Sequence, residues 1–238
     1  MRLHLLGVSG PYPASNGATS GYLLEAASSL LQFDFGCGVL SRLTALCPPE
    51  DLSALFLSHW HFDHTSDLLP LIYRLQALGR VLPVYGPVDE NSALRRIVEQ
   101  ADCFRLQDIR PGDLLSVGDV RIRIGEARHP VPVVGFRVEA EGQAFGYTGD
   151  TNTLPSLADF YQNVDLLLAD GLFPDQAWAE SRPHLSAALA AGLARDARVK
   201  QLVVTHLNPV YPPETLLREA RSVFSEVRIA EAGAVISL

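Results

Sequence analysis

Short apolar runs separated by turn residues recur along the chain and predict a protein rich in β-strands. Runs of roughly four to eight residues bounded by Gly, Pro, Asn and Asp are typical of strands. The predicted strands cover residues 2–8, 21–26, 29–35, 52–58, 82–86, 120–127, 134–140, 144–150, 164–170, 201–206, 227–230 and 234–238. A hairpin turn is expected near Glu141 and Gly142, between two of these runs.

Four segments between the predicted strands carry the apolar spacing of amphipathic helices. They cover residues 66–78, 89–101, 184–196 and 214–224. The residues expected to face the core are Leu68, Leu69, Ile72 and Leu75, then Leu185, Ala188, Leu189, Gly192 and Leu193, and finally Leu216, Ala220, Val223 and Phe224. Blocks of strands followed by helices predict two sheets packed face to face with helices outside. The sequence has no linker or short-period repeat, so we expect residues 1–238 to form one domain.

Composition and charge narrow the class of protein. A hydrophobic content of 47% supports a sizeable core, whereas a net charge of -8 disfavours a general nucleic-acid-binding surface. The three cysteines, Cys37, Cys47 and Cys103, contain no CxxC pair and are typical of a reducing compartment. The N-terminus is a poor signal peptide, and no apolar stretch approaches the length of a membrane span. We therefore expect a cytoplasmic enzyme.

Residues 58–69, SHWHFDHTSDLL, concentrate histidine and aspartate at the end of a predicted strand. His59, His61 and His64 are three of the seven histidines in the chain, and Asp63 lies among them. A divalent metal ion suits such a cluster, because the cation offsets the cost of gathering unpaired polar groups at one point. The cluster therefore predicts a metal site.

Three further polar residues follow apolar strands in the same way. His129 follows 120–127, Asp150 ends 144–150, and His206 ends 201–206. Taken singly, each has an ordinary interpretation, as a loop residue, a turn former and a cap. Because strand ends are where layered α/β folds present reactive groups, their shared placement suggests that they complete the metal site.

The order His-x-His-x-Asp-His, then His, then Gly-Asp, then His resembles the metallo-β-lactamase superfamily over nearly the whole chain. This resemblance implies an α/β fold, an αββα sandwich with two mixed β-sheets flanked by helices, and two divalent metal ions at one edge. Zinc is expected, with manganese as the alternative. The implied ligands are His59, His61 and His129 for one ion, Asp63, His64 and His206 for the other, and Asp150 as the bridge. Asp at the bridging position, in place of Cys, disfavours a true β-lactam hydrolase.

Two metal ions that share a hydroxide would favour displacement at phosphorus. Asp63 and His184 are the predicted catalytic residues. Asp34, in the segment FDFGCG, lies at another strand end. It either contacts a ligand imidazole and fixes its orientation without binding the metal itself, or it forms a plain turn.

The segment that begins RPHLSAALAAG and ends VVTHLNPVY is similar to the ribonuclease Z branch of this superfamily, as is FDFGCGVLSRL. The resemblance puts His184 at the start of a helix, where free backbone N–H groups favour a phosphate oxygen. His184 is thus our candidate to contact the scissile phosphate and to protonate the leaving oxygen. The alternative is that it only caps the helix.

The substrate expected from this branch is a small phosphodiester. Ribonuclease Z usually carries a tRNA-gripping arm between the single His that follows the His-x-His-x-Asp-His motif and the Gly-Asp. In this chain these residues are His129 and Asp150, which are only 21 positions apart. The reduced layout, together with the opening GVSGPYPASNGATSGYLLE, resembles small bacterial phosphodiesterases that act on cyclic nucleotides or cyclic ribose phosphates.

Three alternatives remain open. The first is a tRNA 3′-processing endonuclease, which the short interval and the acidic charge disfavour. The second is a thioester or lactone hydrolase of the glyoxalase II kind, disfavoured by the segment at His184 and by the lack of a C-terminal helical substrate domain. The third is a metal-binding scaffold, disfavoured because no ligand is lost. The resemblance also implies a homodimer formed through helices near 65–79.

Overall fold

A computed structural model describes all 238 residues and contains fourteen strands. The first six are β1 (Arg2–Gly7), β2 (Gly21–Ala26), β3 (Ser29–Phe33), β4 (Ala54–Phe56), β5 (Leu82–Pro87) and β6 (Phe104–Ile109). The next eight are β7 (Leu114–Val117), β8 (Val120–Glu126), β9 (Val134–Ala140), β10 (Gln143–Tyr147), β11 (Leu166–Asp170), β12 (Gln201–Thr205), β13 (Val227–Ile229) and β14 (Val235–Ser237). Seven helices lie outside the sheets: α1 (Val39–Leu43), α2 (Phe62–Thr65), α3 (Leu68–Ala77), α4 (Ala93–Gln100), α5 (Leu157–Phe160), α6 (Ala187–Asp196) and α7 (Pro213–Arg221).

The strands form two sheets of seven, each of them mixed. The first has the order β14-β1-β2-β3-β4-β5-β6, with parallel pairing from β3 to β6. The second has the order β13-β12-β11-β10-β9-β8-β7, with parallel pairing from β10 to β13. Because parallel strands end at the same edge, the loops after β3 and β4, and those after β10, β11 and β12, are brought to one end of each sheet.

The core between the sheets is a single cluster of 25 buried residues drawn from both. Its centre is aromatic: Phe33 of the first sheet contacts Phe136 and Phe145 of the second, with ring centroids 5.3 and 5.9 Å apart. Two further clusters join the outer faces to the helices. Helices therefore cover both outer faces, and the predicted αββα sandwich is confirmed.

Every strand predicted from the sequence is present, usually shortened by one to four residues. Glu141 and Gly142 form the hairpin turn between β9 and β10, with φ angles of 54° and 73°. The prediction missed β6 and β7. Both lie at the edge of a sheet and expose much of their surface, so they lack the apolar runs that mark buried strands.

Each predicted helix is present, with ends shifted by up to four residues, but the face that is buried was partly wrong. In α3 the buried residues are Leu68, Leu71 and Leu75, while Leu69 is 40% exposed. In α6 the small residues Ala187, Ala190, Ala191 and Ala194 face the sheet, and the expected Leu189 and Leu193 are only half-buried. The alanines permit closer contact between helix and sheet, so the buried face is rotated from the one that the leucines indicate. In α7 Leu216 and Ala220 are buried, but Val223 and Phe224 follow the end of the helix and are half-buried.

None of the helices combines the length and the apolar character that crossing a bilayer requires.

Candidate metal centre

The predicted metal ligands come from four strand ends and meet at one edge of the sandwich. His59 and His61 lie in the loop after β4, and α2 carries Asp63 and His64. His129 follows β8, Asp150 follows β10, and His206 follows β12. Each ligand atom lies within 4.8 Å of the others in its group: His59, His61, His129 and Asp150 form one group, and Asp63, His64 and His206 form another. The structure thus brings all seven residues together in the two sets that the resemblance implies, although their roles stay predictions.

In the first group, imidazole nitrogens face one another at short range. Nε2 of His59 lies 2.9 Å from Nδ1 of His61, which lies 3.3 Å from Nε2 of His129. Oδ2 of Asp150 is 3.6 Å from Nε2 of His59. Three imidazoles and one carboxylate that converge on a point make a donor set suited to zinc and similar divalent ions.

The second group contains buried nitrogens with no partner. Nε2 of His64 and Nε2 of His206 are buried and make no hydrogen bond within the protein. They lie 3.6 and 3.8 Å from Oδ2 of Asp63. A buried polar atom without a partner costs about 1–3 kcal/mol, so two in one place indicate that something outside the protein chain completes the site. A cation satisfies both nitrogens, and these residues therefore fit a metal ion.

Asp150 lies between the two groups. Its Oδ2 is 3.6 Å from Nε2 of His59 and 3.3 Å from Nε2 of His64, while its Oδ1 is 3.4 Å from Nδ1 of His206. This is the position that a bridging carboxylate requires. Burial opposes the charge of Asp150, but the adjacent histidines outweigh that effect and hold the pKa of Asp150 well below its usual range.

Burial also keeps most of the predicted ligand histidines neutral. It lowers the pKa of His129 to about 4, and it holds the pKa values of His59 and His206 well below normal. A neutral imidazole is the form that binds a metal ion. His64 is the exception: burial by itself lowers its pKa, but Asp150, Asp63 and Asp34 surround it and raise that pKa well above normal. Without a cation, a proton on His64 would take over part of the charge balance of the site.

Asp34 supports His64 from behind. It follows β3 with a φ of 52°, is fully buried, and accepts hydrogen bonds from Ser58 N at 2.7 Å and Ser58 Oγ at 2.8 Å. Its Oδ2 also accepts from Nδ1 of His64 at 2.8 Å and from Oη of Tyr147 at 2.5 Å. Because Nδ1 of His64 donates to Asp34, Nε2 is left free for a metal ion. The surroundings of Asp34 fit an orienting role better than a plain turn.

The expectation that His184 opens a helix was wrong. Helix α6 begins at Ala187, and its N-cap is Ser186, whose side chain accepts a hydrogen bond from Leu189 N. His184 lies in the loop before that cap, so it neither caps the helix nor lies in its first turn. The cause is local: the Ser186 hydroxyl is the better capping group and begins the helix later than the apolar pattern suggests.

His184 is instead fixed by Asp170, at the end of β11. Nδ1 of His184 lies 2.8 Å from Oδ2 of Asp170 and 3.9 Å from Oδ2 of Asp150, and its ring stacks on that of His206 with centroids 5.0 Å apart. Burial opposes protonation of His184, but Asp170 and then Asp150 raise its pKa to about 9. Burial raises the pKa of Asp170 itself to about 6.

Asp170 is the main residue of the candidate site that sequence reasoning missed. It is fully buried, and its carboxylate also accepts from Thr151 N at 3.0 Å and from Leu172 N at 3.2 Å, which holds it firmly in place. A signal was present, because Asp170 ends an apolar strand as Asp150 and His206 do. No short motif surrounds it, however, so the sequence did not single it out.

The N-terminal Gly/Ser/Asn loop packs directly on His206. Ser20 Oγ lies 3.2 Å from Nδ1 of His206, and Gly10 N donates to Leu207 O at 3.1 Å. A Cβ atom placed on Gly10 would lie 2.1 Å from Cε1 of His206. Only glycine allows this approach, so the loop covers one face of a predicted ligand.

Comparison with known proteins agrees with this geometry. The family described as the beta-lactamase superfamily domain matches residues 33–207, from the strand before Asp34 to the residue after His206. The chain belongs to the metallo-β-lactamase superfamily. YhfI of Bacillus subtilis, a metallo-β-lactamase fold protein, is 31% identical over 99% of each chain, and its crystal structure superposes with a TM-score of 0.93 at 32% identity, covering 99% of this chain and 98% of that one.

Ribonuclease Z relatives have the same overall layout. Ribonuclease Z of Methanopyrus kandleri is 30% identical and aligns over 98% of this chain and 96% of its own. Human tRNase Z, short form, shares the fold with a TM-score of 0.83 at 22% identity, covering 100% of this chain and 99% of that one. This member of the superfamily is therefore a metallo-hydrolase with His and Asp groups that can bind metal ions.

Proposed function

We propose that this superfamily member is a two-metal phosphodiesterase that hydrolyses a small phosphodiester, specifically a cyclic nucleotide or cyclic ribose phosphate. The observation that carries the proposal is the pair His184 and Asp170, hydrogen-bonded at 2.8 Å beside the bridging candidate Asp150. A histidine held by a carboxylate next to a two-metal site is suited to protonating a leaving oxygen. That is the step a phosphodiester with a poor leaving group needs.

Each residue of the site has a separate role in the proposed reaction. Bound divalent ions, for which we propose zinc, would supply an activated water and offset negative charge at phosphorus. Asp170 holds Nδ1 of His184 and so fixes the orientation of the ring. Nε2 of His184 makes no hydrogen bond within the protein and is not among its buried unpartnered atoms, so it is open to substrate. From Nε2, His184 donates a proton to the leaving oxygen. Asp63, whose side chain is 11% exposed and lies 3.6 Å from Nε2 of His64, would orient the attacking water.

The shape of the chain around the site favours a small substrate. The two strands between His129 and Asp150 are joined by a tight turn at Glu141 and Gly142, which leaves no arm at this position. The alignment with ribonuclease Z of Methanopyrus kandleri spans 271 positions, and this chain has 238 residues, so at least 33 positions have no counterpart here. A net charge of -8 also disfavours a long polyanion such as tRNA.

The second candidate is tRNA 3′-end processing. It is favoured by the ribonuclease Z relative at 30% identity over 98% of this chain. The same metal ligands and the same His184–Asp170 pair would serve that reaction, so the difference between the candidates lies in how the substrate is held. Cleavage of a precursor tRNA is the assay that separates them.

We also propose that the protein forms a homodimer through α3 and its flanks. Leu69 is 40% exposed, Tyr73 77%, Leu78 48% and Val81 51%, so large apolar side chains follow one another along this helix and the turn after it. Burial of this surface between two copies would remove apolar area from water. Sedimentation of the native chain and of Tyr73→Glu tests the proposal: the native chain should sediment as a dimer and the variant as a monomer, whereas a monomeric native chain contradicts it.

The deciding experiment measures metal content and turnover on the same preparation. Elemental analysis should find about two metal ions per chain, and 2′,3′- or 3′,5′-cyclic nucleotides and bis-(p-nitrophenyl) phosphate should be hydrolysed. Apoprotein prepared by chelation is the control and should be inactive until metal is restored. Two metal ions with no phosphodiester turnover would move the assignment to thioesters or lactones. Cleavage of precursor tRNA without cyclic-nucleotide turnover would favour the second candidate, and a chain that binds no metal would refute both.

A further inference from the structure

A cavity of about 390 Å³ lies directly against the metal centre. The predicted ligand His61 forms part of its wall, together with residues from three segments of the chain: Phe62, then Asp89 and Asn91, and finally Pro130, Val131 and Pro132. Two of these segments carry predicted metal ligands, since His129 immediately precedes Pro130. A molecule whose reacting atoms lie at the metal centre would therefore extend naturally into this cavity.

One side of the cavity is apolar. Phe62 lies between the predicted ligands His61 and Asp63, yet its side chain is 70% exposed. Pro130, Val131 and Pro132 add further apolar surface to the lining. An aromatic ring left in water at the edge of a reaction site has a flat face available for stacking, and planar heteroaromatic groups are the partners that such a face prefers.

The remaining lining of the cavity is polar and includes one carboxylate, that of Asp89. Asp89 is 7% exposed, and its Oδ1 accepts a hydrogen bond from Asn91 N at 3.0 Å. Its Oδ2 accepts no hydrogen bond from the protein, and Asp89 lines the cavity, so this oxygen remains available as an acceptor. No lysine or arginine lines the cavity. It therefore disfavours a phosphate group and favours a neutral group that offers N–H donors.

We propose that this cavity binds the base of a nucleotide substrate, with the base stacked on Phe62 and its exocyclic amino group donating to Asp89. The proposal rests on the proposed phosphodiesterase function and adds the part of the substrate that lies beyond the phosphate. A carboxylate accepts from the amino group of adenine, guanine or cytosine, whereas the O4 atom of uracil would face it as a second acceptor. The site should therefore distinguish cytosine from uracil, two bases of nearly equal size.

The test measures equilibrium binding to the metal-loaded protein by calorimetry, so it does not depend on turnover. The three probes are cytidine 5′-monophosphate, uridine 5′-monophosphate and ribose 5-phosphate, which lacks a base. The cytidine nucleotide should bind roughly tenfold more tightly than ribose 5-phosphate, since stacking of a base on an aromatic side chain contributes on that order. It should also bind several-fold more tightly than the uridine nucleotide.

Variants assign these differences to the two residues. Phe62→Ala should reduce the advantage of the cytidine nucleotide over ribose 5-phosphate to about one, and Phe62→Tyr should restore it. Asp89→Asn should remove the preference for cytosine over uracil, because an amide can donate to O4 as well as accept. Leu114→Ala, on the outermost strand β7 and 65% exposed, is the control for loss of an exposed apolar side chain and should change nothing. Metal content measured on every variant shows whether the ligand loops are intact.

Equal binding of ribose 5-phosphate and both nucleotides to the native protein would overturn the proposal. So would a base-dependent advantage that Phe62→Ala leaves unchanged while metal content is normal. Failure of the proposed function looks different: base-dependent binding with no hydrolysis of any phosphodiester would refute the reaction and leave the cavity assignment standing. Hydrolysis without base-dependent binding would do the reverse.

Discussion

Replacement of Asp34 by asparagine should weaken one of the two metal sites and leave the other nearly intact. Asp34 contacts His64 directly, whereas it reaches the group that contains His59, His61 and His129 only through Ser58, whose Oγ lies 3.0 Å from Nδ1 of His59. Asparagine is the informative substitution because Asp34 has a φ of 52°, a conformation that asparagine adopts readily and alanine does not. The change therefore removes a charge and an acceptor without introducing backbone strain.

The size of the effect follows from the hydrogen bonds. Oδ2 of Asp34 accepts from Ser58 Oγ, His64 Nδ1 and Tyr147 Oη, and Oδ1 accepts from Ser58 N. An asparagine keeps most of these acceptors only if its oxygen takes the position of Oδ2, and its NH₂ group then faces Ser58 N. At least one buried donor loses its partner, which lowers the free energy of unfolding by about 1–3 kcal/mol. Loss of such a carboxylate behind a ligand histidine typically weakens metal binding about 10- to 100-fold.

Zinc titration of the apoprotein, in competition with a fluorescent chelator, measures both sites. The native protein should show two binding steps, and the Asp34→Asn protein should show one of them weakened about 10- to 100-fold. The control is Asp67→Asn. Asp67 is a half-buried carboxylate three positions after His64. It accepts a hydrogen bond from Leu40 N at the start of α1 and contacts no predicted ligand. Two unchanged zinc affinities in Asp34→Asn, or equal weakening in both variants, would refute the reasoning.

Three further predictions follow from the centre. Asp150→Ala should lose one or both metal ions together with activity, as measured by elemental analysis; full metal content would exclude a bridging role. His184→Ala should keep its metal ions but lose roughly 10²- to 10⁴-fold in turnover of substrates with poor leaving groups and much less with p-nitrophenyl esters, and equal losses would contradict its role as an acid. Gly10→Ala should displace His206 and weaken metal binding in the zinc titration, whereas Gly192→Ala, with open space around it, should not; equal zinc affinities would contradict this.

The residues of the candidate metal centre were predictable because they follow local rules. His59, His61, Asp63 and His64 lie within six consecutive positions, and no ordinary core needs such a cluster. His129, Asp150 and His206 follow strands with clear apolar runs. Strands that run in the same direction within one sheet end at the same edge of that sheet. Short-range pattern and sheet geometry were therefore sufficient to gather seven residues from across the chain.

The residues around those ligands were not predictable in the same way. Tyr147 reads as an ordinary core aromatic, and only the folded structure brings it within 2.5 Å of Asp34, 113 positions away. Asp170 likewise depends on the loop that carries His184, whose path is fixed by the Ser186 cap rather than by the apolar pattern. Hydrogen bonds between side chains far apart in sequence require exact register in both sheets, which periodicity does not specify.

The arrangement of the predicted ligand loops would link folding to the supply of metal. His59 and His61 follow a strand of the first sheet, whereas His129 and Asp150 follow strands of the second, so an ion held by all four ties the two layers together. Free metal at a thousand times its dissociation constant would add about 4 kcal/mol to the stability of the folded state. Thermal unfolding in a series of buffered zinc concentrations should show the midpoint rising steadily with free zinc. The lifetime of this protein would then vary with zinc availability, and zinc-starved cells would contain less of it through faster degradation.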